Sequence, residues 1–257
     1  MHALFLSPHL DDVAFSVGGT LLRLVQRGWQ VSLCTVFTGS VQHPVGFALR
    51  CQTDKGLPPE VDYMALRREE EHQFARLAAV TRLHCLPYPE APHRGYESAA
   101  ALFNGVLPHD NIWRPVASDL RRLISSVRFD VVFAPQGLGN HVDHLHLIRA
   151  VLQANLAEKT CWYRDTPYAM RQPQARPDPR LPAELREVGV DISATLEDKL
   201  AGCCAYESQI GFQFGGTERL RTALPTFHQQ EAARLGLAGY AEGLLVPSHL
   251  VNLICEA

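Results

Sequence analysis

His9, Asp11 and Asp12 stand together in Leu6-Ser7-Pro8-His9-Leu10-Asp11-Asp12, at the end of an apolar run. A second group, Asn140-His141-Val142-Asp143-His144, follows the apolar run Val131-Val132-Phe133-Ala134-Pro135. Imidazoles and carboxylates in this combination can hold a divalent cation and leave acids and bases over for proton transfer. Zinc in a hydrolytic site usually keeps three nitrogen or oxygen ligands from the protein and one position for water. His9, Asp12 and His144 can fill those three places, with His141, Asp11 and Asp143 left for chemistry or for orienting the ligands. Iron(II) or cobalt would also suit a His-Asp-His set. The chemistry indicated is metal-dependent hydrolysis.

Each piece taken alone has a plainer use. Asp11 or Asp12 could cap the helix that follows, because aspartate accepts hydrogen bonds from the free amides there. His146, two residues past His144, reads as a helix-face residue packing beside the site. Gly18-Gly19 fits neither a dinucleotide nor a Walker phosphate loop. Close packing of a helix is the better account, since glycine admits near backbone approach. The coincidence of two clusters at two strand ends carries the hydrolase reading.

The elements that must position these groups alternate. Ala3 to Ser7, Gln30 to Phe37, Leu83 to Leu86, Val131 to Ala134 and Thr160 to Tyr163 read as strands. Val13, Val17, Leu21, Leu24 and Val25 recur at helical spacing, with Gly28 as a stop. Helices are expected over Val61 to Val80, Val116 to Val127, His144 to Leu156 and Ile192 to Ile210. The stripe of Leu66, Phe74, Leu77 and Ala78 is expected to be buried. Thr38 to Pro59 reads as a loop bordering the site. Residues 171–183 are proline-rich and polar, a connector or lid.

Strands separated by helices imply a Rossmann-like, doubly wound, mostly parallel α/β sheet with right-handed crossovers. In strand order 3-2-1-4-5, strands one and four are neighbours whose connections leave in opposite directions. Ligands bind in the crevice at such a switch point. Topology alone would therefore bring the His9 and His144 clusters together. A single domain over 1–257 with a C-terminal elaboration is expected.

The chain has 257 residues and a formal net charge of −3, with no long block of one sign. That argues against a nucleic-acid-binding surface. The opening Met1-His2-Ala3-Leu4-Phe5-Leu6 lacks a basic start and breaks at Pro8, unlike a secretory leader. No apolar stretch is long enough to span a bilayer. Seven cysteines without Cys-x-x-Cys spacing fit a reducing cytoplasm.

These residues resemble the LmbE-like/PIG-L family of zinc-dependent N-deacetylases. The family's His-Pro-Asp-Asp-Glu motif, followed by Gly-Gly, reads here His9-Leu10-Asp11-Asp12-Val13 and Gly18-Gly19. Its His-Pro-Asp-His motif reads His141-Val142-Asp143-His144. Both prolines and the glutamate are replaced, while every metal and acid–base position is kept. The Ser-Pro-His-Leu-Asp-Asp form is similar to a bacterial branch of the family. Arg67-Arg68-Glu69-Glu70 resembles the family's Arg-x-x-Glu helix start. Leu86-Pro87-Tyr88-Pro89-Glu90-Ala91-Pro92-His93-Arg94 resembles a loop that often carries Asp at the place of Glu90. Tyr163 to Tyr168 and Lys199 to Gln209 also look like features of this branch.

The resemblance implies removal of an N-acetyl group from an N-acetylglucosaminyl-type small-molecule conjugate with one zinc ion per chain. It would make Asp11 the acid–base group and His141 the donor to the oxyanion, with Asp143 orienting that imidazole and keeping it protonated. Arg67 and Glu90 would hold sugar hydroxyls or the aglycone. The expected partners are a small amino-sugar conjugate and, by self-association, other copies of the chain, with no nucleic acid or membrane. Two alternatives are an amidase acting on a thiol conjugate and a non-catalytic sugar- or metabolite-binding protein of the same fold.

Overall fold

The computed structural model describes residues 1–255. Five parallel strands form the central sheet: β1 (His2–Ser7), β2 (Gln30–Thr35), β3 (Arg82–Cys85), β4 (Val131–Pro135) and β5 (Thr160–Tyr163). Antiparallel β7 (Ala241–Pro247) pairs with β5, and β6 (Leu185–Asp191) pairs with β7. The order is β3-β2-β1-β4-β5-β7-β6, which contains the expected 3-2-1-4-5 and adds two strands to its edge.

The central strands are apolar on both faces because helices cover both. Ala3, Phe5, Val131 and Phe133 point into one half of the core with α1 (Asp12–Gln26), α7 (Leu196–Cys203) and α9 (Thr217–Arg234). Leu4, Leu6, Val132 and Ala134 point into the other half, with α4 (Trp113–Ser126) and α5 (Val142–Gln153). The period-two alternation of strand side chains thus fills two layers from one run of sequence. Across the switch point the rings of Phe5 and Phe133 stack at 4.3 Å.

Three expectations need correction. Thr38 to Pro59 is not simply loop, because α2 (Gly46–Thr53) lies within it. The helix expected over Ile192 to Ile210 is two, α7 and α8 (Glu207–Phe214), broken at Cys204 to Tyr206. In α3 (Tyr63–Leu77), Leu77 is 56% exposed, whereas Arg67, Glu70 and Glu71 are buried with Phe74. Residues 63, 67, 70, 71 and 74 are one helical face, and polar partners elsewhere decided which face turned inward. Between α6 (Tyr168–Arg171) and β6 the chain is largely irregular, and Asp178 is buried where its amide donates to the Gln136 carbonyl.

The glycine pair has the packing role expected of it, but against the C-terminal elaboration. A Cβ on Gly19 would lie 2.8 Å from Ile192 and 3.0 Å from Glu242 Oε1. The amides of Gly19 and Thr20 donate to the Glu242 carboxylate at 2.9 and 2.7 Å. Lys199 Nζ, fully buried, donates to the same carboxylate at 2.6 Å and lies 2.7 Å from His228 Nε2. The helix that carries Asp12 is therefore anchored through residues more than two hundred positions away in sequence. Among the described residues no helix is long and apolar enough to cross a membrane.

Candidate active site

Both clusters emerge at the carboxyl ends of neighbouring strands. After β1, Ser7 Oγ donates to the His9 carbonyl at 2.6 Å and turns the chain back over the strand end. Asp11 has φ 141°, a conformation rare for a residue with a side chain. Such backbone costs about 1–3 kcal/mol and persists where the surroundings impose it. Its carboxylate does not cap α1, so the plainer use of Asp11 is not realised. After β4, Gly137, Gly139 and Asn140 take positive φ and deliver His141 to the capping position just before α5.

His9, Asp12 and His144 converge. Asp12 Oδ2 lies 3.2 Å from His9 Nδ1 and 3.3 Å from His144 Nε2. The ligand atoms of His9, His141 and His144 also lie within 4.8 Å of one another. The imidazoles of His9 and His144 each give their other nitrogen to a buried acid. His9 Nε2 is 2.9 Å from Asp143 Oδ2, and His144 Nδ1 is 2.5 Å from Asp165 Oδ1. Metal-bound histidines carry this backing, which fixes the tautomer and aims the free lone pair at the ion. His144 Nε2 is buried without a hydrogen-bond partner. An orphaned imidazole nitrogen facing a carboxylate and a second imidazole fits a divalent cation.

Burial disfavours a charged His144 ring, but Asp12 and Asp165 raise its pKa to about 9. His9 is likewise raised well above its usual value, against burial, by Asp12 and Asp143. Asp12 is held far below the carboxylate range, again against burial, by His144 and His9.

Asp143 does not orient His141, as the sequence reading expected. Its Oδ2 takes His9 Nε2 and the Ala91 amide (3.1 Å), and its Oδ1 takes Arg94 Nη2 at 2.6 Å. The relation to His141 is through the backbone: the Asp143 amide donates to His141 Nδ1 at 3.3 Å. The cause is helical geometry, since an N-terminal residue of a helix offers its amide, not its side chain, to the capping group. The proton of His141 therefore sits on Nε2. Burial and the neighbouring His9 push its pKa well below the usual imidazole value, so the ring is a neutral donor.

Asp11 is pushed up to about 8, mainly by burial, with Asp12 adding and Arg67 opposing. Arg67 is 4% exposed, not a surface charge. It donates to Glu90 Oε1 at 2.5 Å and to the Leu10 carbonyl at 2.9 Å, and stands 3.7 Å from Asp11 Oδ2. Asp110 binds Arg94 Nε and Tyr96 Oη, both at 3.1 Å, and His146 Nε2 at 3.0 Å, so His146 belongs to the support of the site. Sequence reasoning missed the roles of Asp165 and Arg94. For Asp165 the signal was its place two residues past β5, a third strand end in the same crevice.

All of the expected site residues except His144 line one cavity of about 310 Å³, along with Phe47, Phe103, Tyr168 and Phe212. His144 is fully buried behind it. A larger depression of about 780 Å³, lined by Met170, Phe214 and Phe227, contains none of these groups.

The family model described as GlcNAc-PI de-N-acetylase (PIG-L) matches residues 4–155, more than half of the chain and both histidine clusters. The chain belongs to the PIG-L family. Removal of an N-acetyl group is hydrolysis of an amide C–N bond, and this PIG-L protein is a hydrolase of that class. It is 33% identical over 213 residues to a 2′-N-acetylparomamine deacetylase of Streptomyces fradiae, covering 80% of this chain and 72% of the relative. It is 28% identical over 238 residues to the enzyme of that name from Niallia circulans, covering 83% and 86%. The zinc-inhibited form of teicoplanin deacetylase superposes with a TM-score of 0.80 at 24% identity, covering 95% of this chain and 97% of that one, a likeness of fold. The family resemblance read from the two motifs is borne out.

Proposed function

We propose that this protein removes the N-acetyl group from an N-acetylglucosaminyl-type small-molecule conjugate, with one zinc ion held by His9, Asp12 and His144. The observation that carries this is the paired backing of the two imidazoles. Asp143 and Asp165 each take one ring nitrogen and turn the other toward Asp12 Oδ2. His141 makes a poorer ligand, because the Asp143 amide occupies its Nδ1 and leaves a proton on Nε2. The names of the curated relatives and of the superposed structure, all deacetylases, support the reading.

An acetamide carbonyl is a weak electrophile and neutral water a weak nucleophile; a bound dication would polarise the first and acidify the second. The remaining work falls to the protein. Asp11, buried and reluctant to ionise, has a basicity matched to taking a proton near neutral pH. It can return that proton to the departing amine. His141 presents a neutral Nε2–H to the carbonyl oxygen as negative charge develops there; loss of such a donor elsewhere costs about 3–4 kcal/mol of transition-state stabilisation. Arg67 holds Glu90 and the Leu10 carbonyl, fixing the strained turn at Asp11 and presenting Glu90 to sugar hydroxyls. Cys34, Cys51, Cys85, Cys161, Cys203 and Cys204 are free thiols, which supports a reducing compartment such as the cytoplasm.

The test is acetate release from a panel of N-acetylglucosaminides, with added zinc and with chelator. Release that chelator abolishes and zinc restores is expected. No release from any member would overturn the proposal.

A further inference from the structure

The catalytic cavity opens through a rim built by three separate elements. Phe47 comes from α2, Phe103 from the 3₁₀ turn Ala101–Phe103, and Phe212 from α8. Phe103 and Phe212 are 41% and 61% exposed. Three aromatic rings gathered at one opening from distant parts of the chain form a surface for a ligand, unlike scattered apolar residues. Phe103 also touches the site itself, its ring 5.3 Å from that of His141 and 5.8 Å from that of Tyr168. An aglycone attached to a sugar bound beside His141 would extend along these rings.

The charges of the rim narrow the choice. Lys55 Nζ sits 5.1 Å from the Phe212 ring, held by the Tyr63 hydroxyl at 2.7 Å. Arg171 lines the opening and donates to the Gln213 carbonyl at 2.8 Å. Against these two cations stands Asp54, the exposed carboxylate lining the opening. Glu90, deeper, is neutralised by Arg67. A polycationic aglycone would meet like charge here without the carboxylates needed to offset its desolvation.

We propose that this rim is an aglycone subsite for an aryl group carrying no positive charge, stacked on Phe103 and Phe212. The proposal rests on the deacetylase reading and sharpens it to a substrate class. Aromatic faces stack on planar rings in offset or edge-on geometry and contribute beyond their buried area.

The experiment compares N-acetylglucosaminides that differ in aglycone and in anomeric configuration, each as the zinc-loaded enzyme's substrate. They are the 4-nitrophenyl and methyl glycosides in both anomers, and 2′-N-acetylparomamine with its two protonated amines. The aryl glycoside is expected to show kcat/KM about three- to tenfold above the others. Phe212→Ala, a substitution at an exposed position, should remove that advantage through KM with kcat kept. Arg171→Glu should improve the dication relative to the aryl substrate. Equal kcat/KM for all substrates, or preference for the dication, overturns the subsite and leaves the deacetylase reading intact. No acetate from any substrate sinks the deacetylase reading itself. An aryl preference unchanged in Phe212→Ala also overturns the subsite.

Discussion

Asp11 combines a positive φ, near-complete burial and a carboxyl group pushed up to about 8. Asn at this position keeps the size and cannot accept the proton. Asp11→Asn is therefore expected to retain zinc while losing ~10²–10⁴-fold in kcat, the usual share of an acid–base group. Metal analysis beside steady-state kinetics checks this, and near-normal turnover by the zinc-loaded variant would remove Asp11 from its role. His9 and His144 lead to a second expectation. Both hold protons in the metal-free protein more tightly than a free imidazole, His144 to about pH 9. Those protons must leave when a cation binds, so zinc affinity should rise with pH from 6 to 9. Calorimetry of zinc binding in buffers of differing ionisation enthalpy should show proton release at pH 7; pH-independent binding without release contradicts the ligand assignment.

Helix α3 turns a charged face inward, and Glu71 is its most buried acid, 1% exposed. It accepts from the Thr35 and Tyr206 hydroxyls, both at 2.5 Å, tying the helix to β2 and to the segment before α8. Burial raises its pKa from 4.5 to about 7 despite those hydrogen bonds. Between these values the folded protein keeps a proton that the unfolded chain releases. Stability contributed by this group is thus full below pH 4.5 and falls as pH rises toward 7. The loss totals about 3 kcal/mol, at 1.36 kcal/mol per pKa unit. Glu71→Gln should flatten that slope. Urea denaturation of both proteins from pH 5 to 8 measures it as the difference between the two curves. A difference that does not change with pH would show that Glu71 is ionised throughout.

The long-range contact that matters most for the whole fold joins α1 to the C-terminal strands. Gly19 lies against Ile192, and Lys199 is buried between Glu242 and His228. Gly19→Ala forces a methyl group into filled space and should cost about 1–3 kcal/mol, as overpacking does. Lys199→Met leaves the Glu242 carboxylate buried without its cation and should cost about 3–5 kcal/mol. Thermal melts of the two variants should show both losses, with zinc affinity falling if α1 shifts its first turn. Wild-type melting of Lys199→Met would mean that the buried pair does not hold the elaboration in place.

Strands β1 to β5 were legible because a parallel sheet covered on both faces needs short, continuous apolar runs. The meeting of the two histidine clusters was legible because strand order alone puts their strand ends side by side. That reasoning, from type and position, singled out His9, Asp11, Asp12, His141 and His144, which the fold brings to one crevice. It could not find which hydrogen bond each group makes. Asp143 backs His9 instead of His141, because a side chain's partner depends on angstrom-scale direction across elements 134 positions apart. Likewise Asp165, Arg94 and the inward face of α3 have meaning only once β5, the loop after β3 and α8 are packed around the crevice. Hydrophobic periodicity is local and survives in one dimension. Polar pairing inside a core is settled by whichever partner the fold brings within 3 Å or so, and that is a property of the tertiary structure alone.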